Sequence, residues 1–343
     1  MTTDTASKAT TKHVHRSATC VVYEALDEDC LDDEGNPIQV ALKFMMIKEQ
    51  FLREANCRIN HTFDSDYVID IIRCHPEVAS SDIDSYPDRI QLTDQRRLEL
   101  EALTKEHAEQ MFLVVMPLAE RNLHVILKLE RFAGQDFDTI KHVMTSLIYS
   151  VQHMHSKGIL HADLKPVNVM RMVGKWKLID LDAVGRIGED PVCLKSSSAY
   201  IPPEAVYVSV NADRTIAVVR SPESHILYGD YCAPLIAHES FDVWSLGCIF
   251  YQLVNEDVSP FWRCDRDDNL SADASESDSL FELFNFSDGL KAKKLQHIRH
   301  PLARNLISQM LSKDPSKRPS FLRILQHPFF FWEKGCEVAG GVA

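Results

Sequence analysis

Short runs of apolar residues that alternate with polar ones dominate the first third of the chain. Four of these runs are rich in β-branched and aromatic side chains, as strands are; they span residues 19–25, 38–45, 67–74 and 111–117. Between the second and third runs, residues 48–59 carry apolar side chains at helical spacing, including Phe51, Leu52 and Ala55. The pattern predicts an antiparallel sheet that carries one helix.

From about residue 121 the apolar positions follow helical spacing. A helix is expected to begin at Asp138, which can cap it, and to stop before Gly158. Further elements are predicted as helices over 242–254 and 302–312 and as short strands over 167–172 and 175–181. Three polar or acidic stretches, 75–109, 205–238 and 265–288, are predicted to be irregular. The expected fold class is α+β, with a small β-rich lobe followed by a larger, mainly helical lobe.

The composition of the chain argues against some classes of protein. With 37 Lys and Arg against 50 Asp and Glu, the 343-residue chain has a formal net charge of −13, which argues against a nucleic-acid binder. It has no apolar run long enough to span a membrane. Its nine cysteines show no C-x-x-C pair, and the first residues of the sequence have no apolar run of the kind found in signal peptides, so we expect a reducing compartment, cytoplasmic or nuclear.

The stretch HADLKPVNVM, residues 161–170, combines residue types that suit phosphoryl transfer. Asp163 can accept a hydrogen bond from a substrate hydroxyl, and Lys165 can neutralise a moving phosphoryl group. Asn168 and the later Asp180 offer oxygen ligands of the kind that Mg²⁺ prefers. The alternative is a polar loop between two apolar elements.

Over residues 14–332 the chain resembles a eukaryotic protein kinase of the serine/threonine type. Seven short motifs in the family's order carry the resemblance; they are VALK (40–43), FLRE (51–54), HADLKPVN (161–168), DLD (180–182), PPE (202–204), DVWSLG (242–247) and KRPS (317–320). The resemblance implies an N-lobe over about 14–117, a hinge over about 117–121 and a C-lobe over about 122–332. Residues 1–13 and 333–343 would be short tails.

The resemblance also implies a site for ATP with Mg²⁺ or Mn²⁺, and a protein substrate. The implied catalytic residues are Asp163, Lys165 and Asn168, and the implied metal ligands are Asn168 and Asp180. The residues implied to bind the nucleotide are Lys43, which Glu54 would hold, Val22, Ala41, Met116, Pro117, Ala119 and Asp180. For Val22, Ala41 and Met116, packing in the core explains the sequence equally well.

Three departures from the family pattern keep alternatives open. His15, Ser17 and Cys20 stand where the phosphate-covering loop has glycines, Ala162 replaces an arginine, and Asp182 replaces the glycine of D-F-G. The leading interpretation is an active kinase with a non-RD catalytic loop, and the alternative is a pseudokinase that acts as a nucleotide-binding or protein-binding scaffold. A small-molecule kinase is disfavoured by the Lys165-Pro166 pair. The oligomeric state stays open.

Overall fold

The computed structural model describes residues 12–17, 19–75, 112–195, 197–211, 214–222, 233–273 and 275–333. Most of the stretch 75–109 and of the two expected tails lies outside the described residues. The chain divides into two compact units. The first unit comprises residues 1–121 and 170–184, and the second comprises residues 122–169 and 185–343.

The strands of the described residues lie in both units. In chain order they are β1 (Lys12–Arg16), β2 (Cys20–Leu31), β3 (Pro37–Met45), β4 (Arg73–His75), β5 (Phe112–Pro117), β6 (Arg121–Asn122), β7 (Ile159–Leu160), β8 (Val169–Met172), β9 (Lys175–Leu178), β10 (Gly185–Arg186), β11 (Val206–Asn211) and β12 (Arg214–Val219).

All the α-helices of the described residues except the first belong to the second unit. In chain order they are α1 (Lys48–Asn60), α2 (Leu123–Glu130), α3 (Phe137–Ser156), α4 (Glu239–Val254), α5 (Leu280–Phe284), α6 (Asp288–Leu295), α7 (Pro301–Met310), α8 (Phe321–Leu325) and α9 (Pro328–Phe331). Among the described residues, no helix is both long enough and apolar enough to cross a membrane.

The first unit is built on an antiparallel sheet of five strands in the order β1-β2-β3-β5-β4. Helix α1 packs on it through Phe51 and Ala55, which join Met45, Phe112 and Val114 in one buried cluster. The hairpin of β8 and β9 turns at residues 173–174, which both have positive φ, as a tight type I′ turn requires.

The second unit is organised around α4, of which every residue except Glu239 is buried. A helix that is apolar on all sides belongs in the interior of a protein, and α4 packs against α3 and α7. Gly247 permits the approach to α7, since a side chain at this position would meet Leu311 Cδ2 at 2.8 Å. The α+β, two-lobed class expected from the sequence is therefore confirmed.

Local details correct three of the sequence predictions. Helix α3 is capped by Asp136, which accepts hydrogen bonds from the N–H groups of Asp138 and Thr139, so the predicted cap at Asp138 is wrong. Of the predicted strand 67–74, only Arg73 and Cys74 pair in the sheet, and the observed strand extends to His75. The stretch 205–238 is not irregular throughout, because its alternating valines and isoleucine form the β11–β12 hairpin.

Candidate active site

In the first unit, Lys43 of β3 lies between two carboxylates. Its Nζ is 2.5 Å from Glu54 Oε2, and it also contacts Asp180 Oδ1. The lysine and Glu54 are buried, so the charge of each depends on the other. The expected ion pair between Lys43 and Glu54 is present in the structure.

Glu54 has a second cationic partner that the sequence analysis did not identify. Arg58, one helical turn later on α1, donates to Glu54 Oε1 at 3.0 Å and to the carbonyl of Ile69 at 3.0 Å. Burial opposes ionisation of Glu54, but Lys43 and Arg58 outweigh it, so the pKa of this carboxyl is lowered. The carboxylate is therefore charged and fixed between two cations.

The apolar residues expected around a nucleotide share one face of the sheet with Lys43. Val22 pairs with Lys43 between β2 and β3, and Ala41 pairs with Met116 between β3 and β5. Paired residues of antiparallel strands point to the same face, and so do Ala41 and Lys43, two positions apart. Met116 is buried in the α1 cluster, which leaves the half-buried Val22 and Ala41 as the more accessible pair.

The two expected hinge residues follow directly on this sheet. Pro117 is the last residue of β5, where it pairs with Val40 of β3. Ala119 is half-buried against the α1 cluster.

Ser17, which stands where the family pattern has a glycine, stabilises the turn between β1 and β2. Ser17 Oγ accepts hydrogen bonds from the N–H groups of Thr19 at 3.3 Å and Cys20 at 3.1 Å. Backbone N–H groups are what a phosphate-covering loop offers to phosphates. Here two of them are engaged within the turn itself.

Asp180 and Asp182 follow strand β9 in the first unit. Asp180 has a left-handed backbone with φ of 67°, and Arg53 Nε donates to the carbonyl oxygen of Asp182 at 2.7 Å. One carboxylate oxygen from each of Glu54, Asp180 and Asp182 lies within 4.8 Å of the others. Carboxylate oxygens are donors that hard divalent cations prefer, but both oxygens of Glu54 are already engaged, by Lys43 and by Arg58.

In the second unit, the loop that carries Asp163 is held by Asp242 of α4. The buried carboxylate of Asp242 accepts the N–H groups of His161 at 2.9 Å and Ala162 at 3.0 Å, and it contacts His155 Nε2 at 2.8 Å. Ala162 has a φ of 62°, an unfavourable conformation for alanine that these hydrogen bonds stabilise. Burial of Asp242 opposes ionisation, but the hydrogen bond from His155 outweighs it and lowers its pKa.

The contacts of Asp163 converge on one of its two carboxylate oxygens. Asn168 Nδ2 at 3.1 Å, Lys165 Nζ at 3.4 Å and Lys195 Nζ at 3.5 Å all lie near Oδ2. Oδ1 has no hydrogen-bond partner within the described part of the chain. The carboxylate is thus fixed through one oxygen, while the other is left for a further ligand.

Lys165 and Asn168 are also fixed by specific contacts. Lys165 Nζ donates to Ser197 Oγ at 2.5 Å, so the lysine joins the loop of Asp163 to the segment before Pro202. Asn168 uses its amide nitrogen toward both the carbonyl and the carboxylate of Asp163. Its amide oxygen therefore remains the atom that can bind a metal ion.

A bidentate ion pair joins Arg318 and Glu204 in the second unit. Arg318 Nη1 and Nη2 lie 2.6 and 2.7 Å from the two carboxylate oxygens of Glu204. The same guanidinium also donates to the carbonyls of Ser240 and Ser312. Glu204 belongs to the PPE motif and Arg318 to the KRPS motif, so the ion pair joins two of the motifs that carry the resemblance.

Sequence reasoning did not identify three charged residues at these sites, namely Arg58, Lys195 and Asp268. The helical spacing of Arg58 from Glu54 was a readable signal, since residues four apart on a helix are neighbours. Lys195 lies two positions before Ser197, whose hydroxyl contacts Lys165. Asp268, whose Oδ2 is 3.8 Å from Lys165 Nζ, comes from a distant loop and left no signal in the sequence.

Comparison with known proteins shows the family to which the chain belongs. The protein kinase domain family matches residues 40–218 and 223–330. The mitogen-activated protein kinase homolog NTF3 of Nicotiana tabacum is 28% identical over 231 residues, which cover 63% of this chain and 56% of that protein. The serine/threonine-protein kinase/endoribonuclease IRE1 of Oryza sativa subsp. japonica is 25% identical over 287 residues, or 78% of this chain and 27% of that protein.

A further relative is the serine/threonine-protein kinase MPS1 of Encephalitozoon cuniculi, which is 26% identical over 239 residues, or 68% of this chain and 34% of that protein. The chain thus spans between 27% and 56% of the length of these three relatives. Because the family match extends over more than half of the sequence, the chain belongs to the protein kinase domain family.

Proposed function

We propose that the protein is a serine/threonine kinase that transfers the γ-phosphate of ATP to a hydroxyl group of a protein substrate. The observation that carries the proposal is the arrangement around Lys165. Its ammonium group contacts Ser197 Oγ at 2.5 Å and lies 3.4 Å from Asp163 Oδ2. A buried carboxylate with a cation beside it suits a hydroxyl nucleophile and a negatively charged phosphoryl group.

In this proposal Asp163 is the residue that orients the nucleophile. Its Oδ2 is fixed by Asn168 and by two lysines, so Oδ1 accepts the hydrogen bond of the substrate hydroxyl. The hydroxyl oxygen forms a bond to the γ-phosphorus as the bond to the β-phosphate oxygen breaks, and its proton passes to Asp163. Lys165 and Lys195 stabilise the negative charge on the transferred group.

The nucleotide side of the proposal rests on the first unit. Lys43, held by Glu54, binds the α- and β-phosphates, and Val22 and Ala41 contact the adenine from the lysine's face of the sheet. Met116, Pro117 and Ala119 supply the remaining adenine contacts. Asn168 and Asp180 are the proposed ligands of Mg²⁺ or Mn²⁺, which when bound neutralises phosphate charge.

Two broader properties support a protein kinase acting inside the cell. The net charge of −13 disfavours nucleic acid and favours a protein partner. None of the seven cysteines in the described part of the chain is in a disulfide bond, which fits a reducing compartment, cytoplasmic or nuclear.

The proposal is tested with purified protein, ATP and either Mg²⁺ or Mn²⁺, by following transfer of γ-phosphate to the protein itself and to a generic basic protein. Asp163→Ala and Lys43→Met are expected to abolish transfer. Asp138→Ala and Lys128→Met, which alter exposed residues of the same types, are the matched controls and should retain it. Absence of transfer by the unmodified protein with both metals would overturn the proposal.

The second candidate is a scaffold of the same fold that binds nucleotide or protein without catalysis. It is favoured by the turn at Ser17, where two N–H groups suited to phosphates are already engaged. A rise in thermal stability on adding ATP, without any phosphate transfer, would support the scaffold over the kinase.

A further inference from the structure

A loop of the second unit comes within ion-pair distance of Lys165, although it is distant in sequence from the catalytic loop, residues 161–168. This loop spans residues 264–270, with the sequence CDRDDNL, and we call it the clamp loop. It lies after the fully buried Trp262 and ends at the buried Leu270, so both of its ends are anchored in the core. The sequence pattern predicted an irregular stretch here, but the described residues form a defined turn.

Hydrogen bonds to the side chain of Asp265, its first aspartate, stabilise the clamp loop. Asp265 Oδ1 accepts hydrogen bonds from the N–H groups of Asp267 at 2.9 Å and Asn269 at 2.8 Å. Asp268 has a φ of 62°, a left-handed conformation that aspartate tolerates better than most residues. A turn fixed in this way presents its carbonyl and side chain in set directions.

Two hydrogen bonds join the clamp loop to the segment that follows Ser197. The N–H of Ala199 donates to the carbonyl oxygen of Asp268 at 3.0 Å, and the N–H of Leu270 donates to Ser198 Oγ at 2.8 Å. Ser198 is buried, so its hydroxyl serves as an internal acceptor and is poorly placed for modification. Both bonds lie next to Ser197, the residue that contacts Lys165.

The side chain of Asp268 adds a charge interaction with Lys165. Its Oδ2 lies 3.8 Å from Lys165 Nζ, at ion-pair distance but beyond hydrogen-bonding distance. The lysine thus faces three oxygen groups, from Asp163, Ser197 and Asp268; Ser197 Oγ accepts a hydrogen bond, and the two carboxylates lie at ion-pair distance. Each oxygen comes from a different part of the chain, so together they fix the direction of the lysine.

We propose that the clamp loop holds residues 197–200 against the catalytic loop and that Asp268 is a positioning residue for Lys165. This inference rests on the proposed kinase function for its catalytic consequence, but the holding role does not depend on catalysis. Asp268 acts through Lys165 and does not itself touch the reacting groups.

The catalytic consequence is tested with Asp268→Asn, which preserves the shape of the side chain and removes its charge. We expect kcat to fall roughly tenfold while KM for ATP and the melting temperature stay unchanged, because the lysine loses orientation and the nucleotide contacts are kept. The matched control is Asp267→Asn, an exposed neighbour on the same loop, which should retain full activity. An unchanged kcat in Asp268→Asn, or an equal loss in the control, would overturn the positioning role.

The holding role is tested by amide hydrogen exchange in Ser198→Ala, which removes the acceptor of the Leu270 N–H. We expect exchange at Leu270 and Ala199 to accelerate roughly tenfold, while amides of helix α4 keep their protection. Unchanged exchange at both amides would overturn the clamp. Since exchange is measured without substrate, a protein that fails to transfer phosphate would refute the proposed function and still leave the clamp decided.

Discussion

Lys43 Nζ lies 2.5 Å from Glu54 Oε2, and both side chains are buried in the first unit. Replacing Glu54 with glutamine would leave Lys43 and Arg58 without their shared counter-charge. We expect Glu54→Gln to lower the free energy of unfolding by about 3–5 kcal/mol, the usual cost of removing one partner of a buried ion pair. Urea unfolding monitored by circular dichroism measures this change.

The matched control is Glu49→Gln, which alters an exposed glutamate on the same helix α1. It should change the free energy of unfolding by less than about 0.5 kcal/mol, as surface substitutions usually do. Equal losses in the two variants would contradict the importance of the Lys43–Glu54–Arg58 contact.

The free energy of unfolding should depend on pH, in a direction set by the buried carboxyls of Glu54 and Asp242. The pKa values of Glu54 and Asp242 lie below their ordinary values of 4.5 and 3.8, because their cationic and hydrogen-bonding partners outweigh the effect of burial. Carboxyls of this kind contribute stability that is fully present above the ordinary value and is lost as pH falls through the folded-state value. We therefore expect the free energy of unfolding to fall as pH decreases below the ordinary values.

Urea unfolding at a series of values between about pH 3 and pH 6 measures this dependence. In Glu54→Gln the fall should be shallower, because glutamine does not titrate. A variant with the same pH dependence as the unmodified protein would show that Glu54 is not a source of the acid sensitivity.

The pair of Glu204 and Arg318 should require arginine specifically. The guanidinium makes two short contacts with the carboxylate and further bonds to the carbonyls of Ser240 and Ser312, a geometry that a lysine cannot reproduce. We expect Arg318→Lys to lower the free energy of unfolding by about 2–3 kcal/mol. Arg323→Lys, at an exposed position of helix α8, is the control, and a similar loss there would refute the specific role.

The turn at Ser17 should limit the affinity for nucleotide. In Ser17→Gly the N–H groups of Thr19 and Cys20 lose their internal acceptor, which makes them available to phosphate oxygens. We expect ATP to bind roughly tenfold more tightly to this variant, since each hydrogen bond to a charged group is worth more than 1 kcal/mol. Isothermal titration calorimetry measures the dissociation constant.

Ser17→Thr is the control for this prediction, because it retains the hydroxyl group at the same position. Its ATP affinity should equal that of the unmodified protein. If Ser17→Gly also binds ATP with unchanged affinity, the engaged N–H groups are not what limits nucleotide binding.

Much of the fold was predictable because its main elements are local patterns. The apolar stripe of α3 and the alternating strands β2, β3 and β5 are periodic over a few turns or residues, and periodicity determines which face is buried. The cap of α3 was misplaced by two residues because Asp136 and Asp138 are equally suitable cap residues. The β11–β12 hairpin was missed because polar residues surround it.

The charged residues of the candidate site also fall into two groups, those that a local sequence pattern reveals and those whose contacts depend on the tertiary structure. Glu54, Asp163 and Arg318 stand in short motifs, and Glu54 was identified together with its expected partner Lys43. The contact of Arg58 with Glu54 was a local signal that was overlooked. Those of Lys195 with Asp163 and of Asp268 with Lys165 depend on how loops close in three dimensions.

The sequence by itself determined the family, many of the strands and helices and the chemical types of the residues proposed for catalysis, because motifs and periodicity are properties of neighbouring residues. Only the tertiary structure decided which oxygen of Asp163 is occupied, that Ser17 engages the N–H groups of its own turn, and that the clamp loop contacts Lys165. The contact of Lys165 with Asp268 joins residues whose approach is set by packing of the second unit. The distance along the chain from Lys165 to Asp268 carries no information about the 3.8 Å between their charged atoms.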